Sequence, residues 1–139
     1  MDFFDLVIRY ETSLWNHLDD RLRAAGEVSL ANLSALRVVR RHADTARVQE
    51  LRTELGITVG AASKLVDRLE RDGLVVRSAH PHDRRSSLVT LTPAGDAAHD
   101  DGVAALDSAL AEHLAGEDVS AVTALLARLH ARVSMAVAP

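Results

Sequence analysis

Apolar spacing changes period once along this chain, close to Gly73, and that change limits the folds open to it. Upstream, two short stripes recur at helical spacing: Val48, Leu51 and Leu55, then Ala62, Leu65, Val66 and Leu69. Gly56 is a natural stop for the first stripe, and Thr58 a natural cap for the second. Two short helices joined by a tight glycine-containing turn form a helix-turn-helix. Downstream, Leu74-Val75-Val76-Arg77 and Leu88-Val89-Thr90-Leu91 are β-branched runs of strand length. Residues 78–87 between them are polar and carry adjacent arginines, as a hairpin loop would.

The flanks return to helical spacing. Phe4, Val7, Ile8, Leu14, Trp15, Leu18, Leu22 and Ala25 predict a long first helix ending near Gly26. Ser29 can cap a second helix, carrying Leu33, Leu36 and Val39 to about Arg41, with Val28 and Leu33 as a hydrophobic staple. Thr45 is read as the cap of the first short helix. Thr92-Pro93 restarts helix, with Pro at the first helical position. Two helices close the chain, one with Val103, Leu106, Leu110 and Leu114, the other with Val122, Leu125, Leu126, Leu129 and Val133, separated by Gly116. The expected fold is mainly α with a small β hairpin, arranged as one domain over residues 1–139. A winged helix-turn-helix lobe fills 28–92, and helices 1–26 and 93–137 flank it. Those flanking stripes are too large for the lobe to bury, so partner helices are required.

Composition narrows the function. At 47% hydrophobic residues a core is assured, and at 3% aromatics it must be built from Leu, Val and Ala. The absence of cysteine removes disulfides, thiol redox sensing and cysteine-ligated zinc. No apolar run reaches the roughly 18 residues of a membrane span, and acids flank the N-terminal apolar run, unlike a signal peptide. No membrane partner and a cytoplasmic location are therefore expected. The net charge of −4 hides a division: residues 1–36 carry −3, residues 37–88 carry +4, and residues 89–139 carry −5. Local basic excess in the middle third is the footprint expected of a nucleic-acid binder.

Within residues 59–72 the inward positions are Ala62, Leu65, Val66 and Leu69, which leaves Gly60, Ala61, Ser63, Lys64, Asp67, Arg68 and Arg71 outward. Small residues at the start let a helix approach base edges, and Ser63, Lys64 and Arg68 can donate to bases or phosphates. In the loop, two adjacent arginines, Arg84 and Arg85, repel each other in water but suit a narrow minor groove. Asp83 can pair with Arg85 and set its direction. No Gly-rich phosphate loop, nucleophile elbow or His-Glu-x-x-His is present, so neither an enzyme nor a cofactor is expected.

Three separated pieces, Leu69-Glu70-Arg71-Asp72-Gly73-Leu74-Val75-Val76-Arg77, Asp83-Arg84-Arg85-Ser86 and Leu91-Thr92-Pro93-Ala94-Gly95, resemble the core of the MarR (multiple antibiotic resistance regulator) family. The resemblance implies a homodimer joined through its N- and C-terminal helices and bound to a pseudo-palindromic operator in double-stranded DNA. Helix 59–72, with Thr58 at its start, would enter the major groove. The wing would reach the minor groove through Arg85 and its neighbours Arg84 and Ser86, with Asp83 orienting it. Ala61 and Ala62 depart from the family's more polar pattern and leave fewer polar groups on the reading helix.

The resemblance further implies a repressor released by a small aromatic or phenolic effector. Its pocket would draw on Trp15, His17 and Leu18 of the first helix and Leu36 and Arg40 of the second. Some relatives sense zinc, which makes His42, His99 and His113 the alternative ligand set of a metal-responsive regulator, although no metal is assigned. A winged-helix module that docks on protein rather than DNA is the alternative from another class.

Overall fold

Local capping chemistry sets most element boundaries in the computed structural model, which describes residues 1–83 and 85–136. Helix α1 spans Phe3–Ala24 and opens on Asp2, whose carboxylate accepts the Asp5 N–H at 2.9 Å. Helix α2 spans Leu30–His42 and is capped twice. Ser29 Oγ accepts the Asn32 N–H at 3.2 Å, and Asp19 of α1 accepts the Leu30 N–H at 2.7 Å. That backbone bond, with the Arg23 guanidinium at 2.8 Å, holds the Asp19 carboxyl below the usual carboxylate range. Helix α3 covers Val48–Leu55 and stops at Gly56, whose φ of 63° is left-handed. Helix α4 covers Val59–Arg71, where Thr58 Oγ1 accepts the Ala61 N–H at 3.1 Å.

The Thr45 cap is a correction. Thr45 lies in a single 3₁₀ turn, Ala43–Thr45, and its hydroxyl donates backward to the His42 carbonyl at 2.8 Å. The start of α3 therefore falls at Arg47, whose N–H donates to Glu50 Oε2 at 2.9 Å. Strands β1 (Val75–Ala79) and β2 (Ser87–Leu91) pair antiparallel, with Val75 opposite Leu91 and Ala79 opposite Ser87. Pairing continues two residues beyond Arg77, so the loop is shorter than expected. Helix α5 spans Pro93–Leu114 behind a Thr92 cap that accepts the Gly95 N–H at 3.0 Å. Helix α6 covers Ser120–Ala136, after Ala115 and Gly116 turn the chain in left-handed conformations. The expected end of the last helix at residue 137 lies outside the described residues.

Two cores share α2. On one face Leu36, Val38 and Val39 join Leu51, Leu65, Val66, Leu69, Val75 and Val89 in the lobe. On the other, Leu30 and Leu33 meet Leu18 and Leu22 of α1 and Leu106 and Ala109 of α5. Val28 packs beside Leu33 there, in keeping with the expected staple. Helix α6 contributes no buried residue, and the first turns of α1 leave Phe3, Phe4, Leu6 and Ile8 exposed.

The hairpin is anchored at both ends. Val89 N–H donates to the Ala46 carbonyl at 2.8 Å, which ties β2 to the turn before α3. At the other end Thr92 closes the joint to α5: its N–H donates to the Leu74 carbonyl at 3.0 Å and its hydroxyl to the Gly73 carbonyl at 2.6 Å. Gly95 then passes so close that a Cβ there would stand 1.9 Å from the Leu74 oxygen. Only glycine fits, which gives a steric reason for the glycine of the Leu-Thr-x-x-Gly motif.

Candidate nucleic-acid interface

Helix α4 commits Ala62, Leu65, Val66 and Leu69 to the core, which fixes what its other faces present. Gly60, Lys64, Asp67 and Arg71 form the stripe opposite the core, at the spacing one helical face requires. Ser63 is half-buried on the side toward the wing. Thr58 Oγ1 accepts one bond in the cap, which leaves its proton and one lone pair for a partner.

The angle between α4 and the wing is set by Arg77 of β1. Its backbone N–H donates to Glu70 Oε2 at 3.0 Å, and its guanidinium reaches Glu70 Oε1 at 3.2 Å and Asp67 at 2.8 Å. A further bond from the same guanidinium reaches the Ser63 carbonyl at 3.4 Å. In the sequence Glu70 and Arg77 stand within a motif without a role of their own. Their separation across the Gly73 turn brings one acid and one base to the same joint, and that was the available signal.

At the tip of the wing, Asp83 acts differently from the expected side-chain pair. Its Oδ1 accepts the backbone N–H of Arg85 at 3.0 Å, and its carbonyl accepts the Ser86 N–H at 3.2 Å. The carboxylate therefore shapes the turn that presents Arg85, and no Asp83–Arg85 ion pair forms among the described residues. Arg84 lies outside the described residues. Arg85 and Ser86 instead help to wall a cleft of about 430 Å³ between α3, α4 and the wing, together with Arg47, Gln49, Ser63 and Ser87. Sequence reading missed Arg47 and Gln49, because only the fold brings the start of α3 beside the wing.

Much of the basic middle third is used internally. Arg40 reaches Asp96 at 2.9 Å and Asp100 at 3.2 Å on α5, while Arg41 reaches Glu54 at 2.7 Å on α3. His42 also bonds Glu54 and is the main cause that holds its carboxyl below the usual range. Lys64, Arg68 and Arg85 enter no ion pair among the described residues. Arg37 on α2 and Arg52 on α3 are likewise without one, so α4 and the wing hold three of the five such cations between residues 37 and 88 among the described residues.

The expected effector residues do not line one pocket. Leu18 belongs to the stalk core and Leu36 to the lobe core. His17 faces His113 of α5, with ring centroids 5.5 Å apart, and Arg40 is engaged by Asp96 and Asp100. Trp15 alone of the five borders a cleft of about 430 Å³ between α1, the start of α2 and α4, with Arg23, Ser29, Asn32 and Arg68 in its wall. Arg68, read as a DNA contact, therefore also faces this cleft. The five came from one family pattern, and packing sends their side chains to different faces of α1 and α2.

The histidines proposed as an alternative metal set are equally dispersed. His42 is held by Glu54, His99 bonds Asp100 at 2.9 Å, and His113 bonds the Tyr10 hydroxyl at 3.2 Å. His99 and His113 lie on one helix about 21 Å apart by helical rise, far beyond a shared coordination sphere. Among the described residues no group of three or more His, Asp or Glu could hold a metal ion, and no helix is long and apolar enough to cross a membrane.

A helix-turn-helix followed by a hairpin wing that carries an exposed arginine defines a winged helix-turn-helix protein. The MarR family model matches residues 27–86, which hold the helix-turn-helix and most of the wing. The multiple antibiotic resistance protein MarR of Salmonella typhimurium is 32% identical over 84 residues, covering 58% of this chain and 58% of that protein. The matches span 46–58% of the length of such curated relatives. Solved structures extend the likeness along nearly the whole chain. The transcriptional regulator PA3341 is 30% identical, with 96% of each chain covered and a TM-score of 0.76. CouR from Rhodococcus jostii RHA1, solved bound to p-coumaroyl-CoA, is 26% identical over 92% of this chain and 89% of its own, with a TM-score of 0.80. Over residues 27–86 the chain thus matches the MarR family, and its fold matches that of transcriptional regulators along nearly the whole length.

Proposed function

We propose that this protein is a DNA-binding transcription regulator that grips a pseudo-palindromic operator as a homodimer. The observation that carries this reading is the joint exposure of α4 and the wing around one cleft, with Lys64 and Arg85 in no ion pair among the described residues. The match of residues 27–86 to the MarR family supports it. In this reading α4 enters the major groove and reads with Ser63, Lys64 and Arg68, while Arg85 and Ser86 reach the neighbouring minor groove. The unburied stripe of α6 and the exposed first turns of α1 are the surfaces a second copy would cover. A two-fold dimer would then set its two reading helices one DNA turn, about 34 Å, apart. The test is selection of a duplex from a random pool, followed by affinity measured across salt concentrations. Several released counterions should give a steeply negative slope. A flat slope, or equal binding to every duplex after selection, would falsify the operator reading.

The regulator acts as a repressor in this proposal, released by a small aromatic or phenolic ligand in the Trp15–Arg68 cleft. That cleft offers an indole and the guanidinium of Arg68, which stands on the reading helix itself, while its other guanidinium, Arg23, is paired with Asp19 in the same wall. A ligand that fits it better off DNA than on DNA shifts the protein toward release. The relative CouR, seen with p-coumaroyl-CoA, supports an effector of this kind. Trp15 is the sole tryptophan, so its fluorescence reports binding directly. Titration with aromatic acids should change both fluorescence and operator affinity. If neither moves, the effector is excluded and operator binding is untouched.

A further inference from the structure

The cleft between α3, α4 and the wing has a wall whose chemistry the reading helix and wing tip do not explain. Its polar lining includes Arg47, Gln49, Ser63, Arg85, Ser86 and Ser87, and among the described residues no carboxylate lines it. Arg77, which also lines it, is neutralised by Asp67 at 2.8 Å and Glu70 at 3.2 Å. Arg47 has a weaker tie, a single 3.4 Å contact to Glu50 Oε1, while the other Glu50 oxygen is taken by the Arg47 backbone. Arg85 has no acid partner among the described residues. The cleft is therefore positive, rich in hydroxyl and amide donors, and about 430 Å³ in volume. Positive charge and hydrogen-bond donors suit a monoanionic oxyanion, and the cleft has room for the strand that carries it.

We propose that this cleft seats a backbone phosphodiester of the operator, held by Arg47 and Gln49 from the start of α3 and by Ser86 and Ser87 from the wing. The inference rests on the operator-binding reading and follows from duplex geometry. Adjacent major and minor grooves are divided by one sugar-phosphate strand. If α4 occupies the first groove and the wing the second, that strand must cross the space between them. The cleft is that space. A phosphate held there fixes the wing's register against α4 without reading sequence.

The test uses the full-length protein and its selected operator. Arg47→Ala and Gln49→Ala should each weaken binding by roughly three- to tenfold, the scale of one hydrogen-bonded contact. Matched and mismatched duplexes should suffer equally, because a phosphate contact carries no sequence information. Loss of Arg47 should also make the salt slope shallower by about one unit, and Arg47→Lys should restore the slope. Replacing single phosphates with neutral methylphosphonates should find one position per half-site, between the two contacted grooves, that weakens wild-type binding but not Arg47→Ala. Gln49 is exposed and outside the cap of α3, so its variant keeps the test valid if Arg47→Ala folds poorly. A wild type that binds with a steep slope, joined to variants of unchanged affinity and no such position, overturns the cleft assignment alone. A wild type that binds no duplex overturns the operator reading and this inference together.

Discussion

The lobe and the terminal helices draw on the same residue types and differ in where those residues end up. In the lobe Leu36, Leu51 and Leu69 are fully buried within one chain. In α6 Leu125, Leu126 and Val133 repeat at the same helical spacing, yet they stand 43%, 47% and 65% exposed. The lobe is closed by long-range pairing: β2 reaches back to Ala46, Thr92 reaches back to Gly73, and Arg77 braces α4. Among the described residues, helix α6 makes no such return hydrogen bond. A fully buried Leu or Val contributes about 1.5–3 kcal/mol relative to exposure, so four or five left in water amount to an unmet demand for a partner. The lobe completes itself, whereas the terminal helices require another surface.

The contrast breaks most visibly at α6. Removing residues 119–139 should abolish the proposed dimer and DNA binding together, and leave an aggregating or unfolded chain. Sedimentation and a binding assay read this directly, and a soluble, well-folded truncation would remove α6 from the interface. Next in size is the lobe core. Leu36→Ala should cost about 2–5 kcal/mol in urea unfolding, because a fully buried Leu leaves a cavity. A loss below about 1 kcal/mol would mean that the lobe is far looser than its burial indicates.

Smaller effects sharpen the comparison within the lobe. Arg85→Ala should weaken operator binding by about 1–3 kcal/mol while changing stability by less than about 0.5 kcal/mol. An equal fall in both would make Arg85 a structural residue of the wing. Least of all is the capping contact between the two regions. Asp19→Ala should cost about 1 kcal/mol near neutral pH, since it frees the Leu30 N–H. The folded Asp19 pKa is depressed, so its stabilisation is present above the ordinary value near 3.8 and is lost as pH falls through the lower folded value. The gap between wild type and variant should therefore close in strong acid, and a gap that stays constant would remove the charge from the account.

Element order was legible in the sequence because most of the chemistry that sets it is local. Ser29, Thr58 and Thr92 each accept an N–H three residues ahead, a bond that can be written down without a fold. Thr45 looked identical, but its hydroxyl turned back to His42, and sequence does not decide between the two directions. The face of α4 was legible for the same local reason. The effector residues were not, because a pocket is made by elements distant in sequence. Trp15 meets Arg68 across 53 positions, and Arg47 meets Arg85 across 38. Asp83 falls between these cases: its pairing with Arg85 was foreseeable, but it is the Arg85 backbone N–H, not the guanidinium, that donates to the carboxylate.

The contact of Gly95 with the Leu74 oxygen has a mechanical consequence. Helix α5 leaves that contact as a rod of 22 residues, about 33 Å long by helical rise, and ends at Leu114 beside α6. Near its base it is clamped to the wing by Thr92 and packed without the clearance of a single methyl group. A Cβ at Gly102, farther along the same helix, would stand 2.8 Å from the Leu33 side chain. Helix α5 is therefore seated without slack at two levels, on the wing at its base and on α2 above it, where Leu106 and Ala109 join the stalk core. One stiff element thus ties the hairpin and the terminal helices into a single frame.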